Sequence, residues 1–200
     1  MKRFTFVMIL LLSAGFAFGQ ISLGPKVGFN TSKLTEDVEG IKSDLKNSFN
    51  FGVFLRVGNK IYLQPEVNWM TRGGVFKTSD QASPNPINQE IDLKTIEIPV
   101  LVGWRIINLG IANIRVMAGP SGSFIVNKKI KTKNGIEVLE KSDIKDMIWG
   151  LNLGAGVDVL MFTLDVRYQI GLNEVIERAS EMNFNSRNNV FSISLGWKII

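Results

Sequence analysis

The chain has 200 residues, enough for one domain of ordinary size, and a formal charge of +5. It contains no cysteine, which excludes a disulfide framework, thiolate metal sites and a lipid-bearing N-terminal cysteine. It contains no histidine either, the commonest general base and metal ligand, and its mild basic bias gives no argument for nucleic acid as a partner.

The first residues have the pattern of an export signal. Lys2-Arg3 precede the apolar run Phe4 to Leu12, and Ala17-Phe18-Gly19 places small residues before Gln20. This predicts a signal peptide over 1–19, cleaved after Gly19, and a mature domain over 20–200. The apolar run falls short of the roughly 20 residues that a spanning helix needs.

From Ile21 onward the hydrophobic period is two. Ile21, Leu23, Pro25, Val27 and Phe29 alternate with Ser22, Gly24, Lys26, Gly28 and Asn30. A polar loop over 31–48 follows. Then comes a hairpin with Phe49, Phe51, Val53, Leu55, Val57, Ile61, Leu63, Pro65, Val67 and Trp69 on one face. Asn50, Gly52, Arg56, Tyr62, Gln64, Glu66, Asn68 and Arg72 lie on the other, with a turn at Gly58-Asn59. Pro65 has no N–H for a ladder, which predicts a bulge or an unpaired donor position beside it.

The stretch 73–91 contains Gly73-Gly74 and Ser83-Pro84-Asn85-Pro86 and reads as a loop over most of its length. A fourth strand over 92–106 sets Ile96, Ile98, Val100, Val102 and Trp104 against Glu97, Leu101, Gly103 and Arg105. A short turn over 107–110 leads to a fifth. There Ile114, Val116, Ala118, Pro120, Phe124 and Val126 oppose Asn113, Arg115, Met117, Gly119, Ser121 and Ser123. Asn134-Gly135 is a strong hairpin signal and predicts that the fifth and sixth strands continue past the main sheet. The sixth strand sets Met147, Trp149, Leu151, Leu153, Ala155, Val157 and Val159 against Gly150, Asn152, Gly154, Gly156 and Asp158. Leu160-Met161 is a minimal turn. The seventh sets Phe162, Leu164, Val166, Tyr168 and Ile170 against Thr163, Asp165, Arg167 and Gln169. The stretch 173–189 is a polar loop with one helical turn expected near 174–179. The eighth sets Phe191, Ile193, Leu195, Trp197 and Ile199 against Ser192, Ser194, Gly196 and Lys198.

Alternation alone does not say whether the apolar face points inward or outward, because a soluble barrel alternates too. About forty large apolar side chains would overfill an eight-stranded barrel, whose interior is only just wide enough for its side chains. The polar face is rich in glycine, which weakens a solvent-facing strand but leaves room for long charged side chains in a narrow interior. The connections alternate long and short, as in transmembrane barrels. Trp69, Trp104, Trp149 and Trp197 all fall on the apolar face near strand ends, as two interfacial aromatic belts require. The fold expected is an all-β, eight-stranded antiparallel up-and-down transmembrane β-barrel with short periplasmic turns and four long extracellular loops. The expected location is the bacterial outer membrane, with both termini periplasmic.

The leader, Gly28-Phe29-Asn30, Tyr62-Leu63-Gln64-Pro65-Glu66, Ile96-Glu97-Ile98-Pro99 and the closing run Phe191 to Ile200 resemble the PorT-like bacterial outer-membrane β-barrel family. The resemblance covers the mature chain. It implies an outer-membrane barrel, and one branch of that family is linked to a protein-secretion system.

The inward charges expected are Lys26, Arg56, Glu66, Arg72, Glu97, Arg105, Arg115, Asp158, Asp165, Arg167 and Lys198. Charges removed from water must be paired, so they read as a network that fills the lumen, with Glu66 and Glu97 binding Arg56, Arg105 or Arg115. The alternatives are a narrow channel and an accessory component of a protein-secretion or surface assembly. Without histidine no Ser–His or Asp–His centre exists, and arginines beside Glu66 and Glu97 would hold both as carboxylates, so an enzyme is not expected. No cofactor or metal signature is present. The expected partners are outer-membrane lipid, lipopolysaccharide phosphates facing Lys128, Lys129, Lys131, Lys133, Lys141 and Lys145, and proteins that meet the outer loops of a monomeric barrel. The role expected is structural or interactive. Arginine at Val53 or Val67 should impair insertion, and arginine at Asn68 should be milder.

Overall fold

The computed structural model describes residues 21–34, 41–44, 46–78, 88–132, 145–173, 175 and 188–199. The expected leader, the helical turn near 174–179 and the Asn134-Gly135 turn lie outside these residues, apart from Val175.

Nine strands form one antiparallel sheet: β1 (Ile21–Leu34), β2 (Ile41–Asp44), β3 (Lys46–Gly58), β4 (Ile61–Thr78), β5 (Asn88–Asn108), β6 (Ala112–Thr132), β7 (Met147–Val159), β8 (Phe162–Gly171) and β9 (Asn188–Trp197). Eight of them are staves of a closed barrel. Each pairs with its sequence neighbour, and β1 pairs with β9 from Lys26↔Gly196 to Leu34↔Asn188 to close the circle. The ninth is the short β2, which pairs with the upper end of β4 from Ile41↔Thr78 to Asp44↔Val75, in line with β3 below it. Closure leaves the staves no open edge, which is the condition for spanning lipid with strands.

The faces are as the alternation predicts. Val27, Phe51, Val53, Val102 and Leu195 are exposed, whereas Lys26, Arg56, Glu66, Arg115 and Arg167 are buried. The molecule is polar inside and apolar outside. The charge-bearing residues enclosed by the staves would otherwise be the ones most exposed to water.

The stretch 73–91 departs from the loop expected of it. β4 runs through Gly73-Gly74 to Thr78, and β5 begins at Asn88. The pairs Gly73↔Asp92 through Lys77↔Asn88 continue the ladder, and β6 follows β5 as far as Gln89↔Thr132. A two-glycine pair weakens a strand, but the continuous pairing with β5, and the Ser32 hydroxyl bonded to the Gly73 backbone on the other side, outweigh local propensity. At about 3.3 Å per residue, β5 and β6 are about twice as long as the 9–11 residues a tilted membrane strand needs. The continuation expected of the fifth strand is seen in β6 and is shared by β4 and β5; the return expected of the sixth strand over 136–140 lies outside the described residues.

Pro65 produces no bulge. The β3–β4 register keeps its phase from Phe54↔Glu66 to Val57↔Leu63, and the ladder is interrupted between them. The bulges lie elsewhere, between Lys94 and Thr95 and between Arg105 and Ile107 in the β5–β6 pairing. Among the described residues the tight turns are Asn59–Lys60, Leu109–Ile111 and Leu160–Met161. Gly58 and Gly110 have φ of 125° and 79°, a region glycine enters without steric cost. Leu160, at φ 51°, takes the left-handed conformation without that freedom.

Candidate functional site: a charged ring in the lumen

Six strands project charged side chains toward one another across the barrel. Because a strand alternates, every second residue of β4 (Tyr62, Gln64, Glu66, Asn68) enters the lumen. The same holds for Asp165 and Arg167 on β8, Arg115 on β6, Asp158 on β7, Arg56 on β3 and Lys26 on β1.

These residues form a chain of alternating sign. Arg56 Nη1 lies 2.8 Å from Asp158 Oδ2, and Arg115 Nε lies 3.1 Å from Asp158 Oδ1. Arg115 Nη2 also bonds Asp165 Oδ1 and Thr163 Oγ1. Arg167 Nη2 reaches Asp165 Oδ2 at 2.8 Å. Arg167 then grips Glu66 with both terminal nitrogens, at 2.8 Å to Oε2 and 2.7 Å to Oε1. Lys26 Nζ adds a contact of 2.7 Å to Glu66 Oε2. Gln64 closes the chain into a ring: it accepts from Arg56 Nε at 2.7 Å and donates to Glu66 Oε1 at 2.6 Å. The paired planar forks of Arg167 and Glu66 are among the stronger charge-assisted contacts.

Space for these long side chains comes from the inward glycines. Gly156 stands beside Arg115 and Asp165 in the register, and a Cβ there would come within 2.7 Å of Arg115 Cζ and 2.6 Å of Asp165 Oδ1. Gly154 faces Arg167 in the same way, with Arg167 Cγ at 2.8 Å. Gly103 lies opposite Tyr62, whose ring fills the position of the missing side chain. Three guanidinium groups surround that ring: Arg56 at 5.0 Å, Arg105 at 5.6 Å and Arg115 at 6.0 Å from its centroid.

The acid–base pairing differs from the sequence expectation. Glu66 binds Arg167 and Lys26 rather than Arg56, Arg105 or Arg115. Glu97 accepts from Gln169 Nε2 at 2.8 Å, and its nearest cation is Arg72, at 3.9 Å. Arg56 and Arg115 go to the aspartates. Arg105 donates to the Asn59 carbonyl oxygen at 2.6 Å, outside the ring. Lys198 is half-buried at the short-turn end. The reason is geometric: which inward residues share a level depends on strand tilt and stagger, and these are properties of the closed barrel.

Toward the long-loop end amide and hydroxyl side chains join the charged Lys26, Glu97 and Arg167. Asn30, Asn50, Asn68, Asn152, Gln169 and Ser194 line a cavity of about 20 Å³, room for about one water molecule. Asn30 Nδ2, Asn50 Oδ1, Asn68 Oδ1 and Arg167 Nε have no protein partner among the described residues, and all four residues line this cavity. Met70 and Val190 also line it, and with Leu93, Ile148 and Val175, all at most 4% exposed, they form an apolar cap that the buried Arg72, paired with Leu93, interrupts. Sequence reasoning missed this cap, and it missed the inward Phe54, which stacks on Arg56 at 5.5 Å. Phe54 shares the parity of Gly52 and Arg56, and that parity was the available signal. The cap residues carried no such signal, because an apolar residue on a polar face reads as an exception until its height is known.

On the outside, Trp69 and Trp149 sit toward the long-loop end, and Trp104 and Trp197 at the short-turn end. They are between 39% and 50% exposed. Trp69 stacks on Phe51 with centroids 6.4 Å apart, and Phe29 meets Phe49 edge-on at 5.8 Å. Among the described residues no cluster of acidic side chains could hold a metal ion.

This polar-in, apolar-out closed sheet agrees with comparison to known proteins. The family model of the outer membrane protein beta-barrel domain matches residues 13–177. The chain belongs to that family. Among solved structures, the outer membrane protein OprG of Pseudomonas aeruginosa is similar in fold, with a TM-score of 0.51 at 10% identity over 91% of this chain and 97% of that one. Ail, the attachment invasion locus protein of Yersinia pestis, has a TM-score of 0.48 at 13% identity, over 91% of this chain and 99% of its own. Neisserial surface protein A gives 0.48 at 12% identity, over 90% and 99%. A search of curated proteins finds no match. The family assigns this eight-stave barrel to the bacterial outer membrane.

Proposed function

We propose that this outer-membrane barrel is a closed, non-catalytic structural and interaction protein that meets its environment through the long-loop end. The observation that carries this reading is the ring itself. Arg56, Asp158, Arg115, Asp165, Arg167, Glu66 and Gln64 join five strands by hydrogen bonds, with Lys26 adding a sixth. A solute would have to break several buried charge-assisted contacts to pass, and each break strands charge in a low-dielectric interior. Glu66 and Glu97 lie in this bonded interior and serve structure rather than acid–base chemistry.

The alternation of long connections with tight turns supports placing the long loops outside the cell and both termini in the periplasm after removal of a leader over 1–19. The motifs Gly28-Phe29-Asn30 and Tyr62 to Glu66 support a PorT-like assignment without selecting its secretion-linked branch. Lipopolysaccharide contact is proposed at Lys94 and Lys129. These exposed lysines stand on neighbouring strands just above Ile96 and Phe124, where anionic headgroups would lie. Lys128 instead pairs with Asp146 at 2.8 Å.

Planar-bilayer recording tests the closed lumen. The purified protein should give no steady single-channel current, and Glu66→Ala combined with Arg167→Ala should introduce one. Sizeable currents from the unaltered protein would replace this reading with the narrow channel. Cross-linked pull-down from intact outer membranes tests the interaction role, and repeated recovery of secretion components would assign the accessory role.

A further inference from the structure

The two turns Leu109–Ile111 and Leu160–Met161 are neighbours on the short-turn rim, and their composition is unlike that of a surface turn. Ile106, Ile107, Leu109, Ile111, Leu160 and Met161 are between 42% and 70% exposed. From Ile106 to Ile114 and from Val159 to Phe162 there is no charged residue. The flanking charges Arg105, Arg115 and Asp158 all point into the lumen. The remaining tight turn, Asn59–Lys60, is polar and exposed.

Seven of the ten backbone N–H and C=O groups in the two apolar turns have a partner among the described residues. Leu109 N donates to Ala112 O at 2.8 Å, Ile111 N to Leu109 O at 3.0 Å, and Leu160 N to Ile111 O at 2.9 Å, which ties one turn to the other. Lys198 N donates to Met161 O at 2.7 Å. Asn108 folds its side-chain oxygen onto Gly110 N at 3.0 Å. Lipid favours such internal pairing and water does not.

Apolar surface also runs further on this side. On β3 the outward apolar residues extend from Phe49 to Val57, between Asn47 and Asn59. On β5 they extend from Ile96, just below Lys94, to Ile107, and the turn residue Leu109 follows after the exposed Asn108, whose side chain folds back onto Gly110 N. With about 3.3 Å per residue and a strand tilt of about 40°, these are heights of about 20 Å and about 30 Å, on either side of the usual band of about 25 Å. The turn surface is continuous with the lipid-facing wall.

We propose that this arc of the rim is a lipid-docking surface: the Leu109–Ile111 and Leu160–Met161 turns lie within the bilayer, and the barrel stands tilted, with its β5–β8 side deeper than Asn59–Lys60. The occupant is bilayer lipid, and the inference does not depend on what the long loops bind.

The chain has no cysteine, so single cysteines can carry nitroxide labels without further change. Leu109→Cys, Leu160→Cys and Asn59→Cys would be labelled in the full-length protein in dioleoyl-phosphatidylcholine vesicles, with Ile111→Cys replacing either turn variant that fails to fold. Heat-modifiable gel mobility certifies folding. The labels at Leu109 and Leu160 should show an oxygen-to-nickel-chelate collision ratio severalfold above that at Asn59. Equal access of the nickel chelate to all three sites would overturn the proposal. So would protection from both reagents with spectra that broaden as protein is added to fixed lipid, because that result would assign the arc to a second copy of the chain.

Discussion

At the residue scale, Glu66 is the central group. It accepts from Arg167, Lys26, Gln64 and Asn68, so its two oxygens hold two cations and two amides. Glu66→Gln keeps the shape and removes the charge. Arg167 would retain Asp165, while Lys26 would lose its only ion-pair partner among the described residues. Leaving a buried cation without its partner costs about 3–5 kcal/mol. Urea unfolding of the reconstituted protein should show a loss of that size. A change below about 1 kcal/mol, the scale of a surface pair, would mean that water already enters the ring. Asn68 also changes meaning here. It is buried and packs against Gly52, so arginine at Asn68 would collide with the wall and would not be a mild substitution.

At the element scale, the strands divide by what lies on either side of them. In β5, Ile98 to Trp104 faces lipid outside and the packed lumen inside. Its first residues lie above the apolar band, although Asn88 pairs with β4 and Gln89 to Leu93 pair with both β4 and β6. Local opening there exposes backbone to water and not to hydrocarbon, so it is far cheaper. Amides from Asn88 to Leu93 should exchange hydrogen much faster than those from Val100 to Trp104, despite continuous pairing. Equal protection along the whole of β5 would show that the projecting sheet is packed as firmly as the barrel.

At the scale of the whole molecule, the arrangement is inverted relative to a water-soluble domain, and this can be tested by placing one charge on the outer wall. Val53 is 51% exposed, near the middle of the β3 apolar run. Val53→Arg should reduce stability in bilayers by about 2–4 kcal/mol, the cost of a cation near the bilayer midplane. Measured by unfolding in vesicles, an effect near zero would mean that this wall does not face hydrocarbon.

The sequence by itself determined which residues point in and which point out, apart from Phe54 and the residues of the cap. Alternation from Ile21 to Phe29 and from Phe162 to Ile170 needs no partner to be read, because successive side chains of any strand leave on opposite sides. It also determined the eight staves and the tight turns, and the inward glycines pointed to a crowded lumen. The tertiary structure decided the rest. The partners of Glu66 come from β1 and β8, which adjoin neither β4 nor each other in sequence, and closure with a particular tilt and stagger brought them to one level. Pairing with β5 carried β4 through Gly73-Gly74, because a continuous ladder supplies what the local residues lack. Closure also set the apolar turns at Leu109 and Leu160 side by side, since adjacency around a ring is a property of the closed sheet and of no single strand.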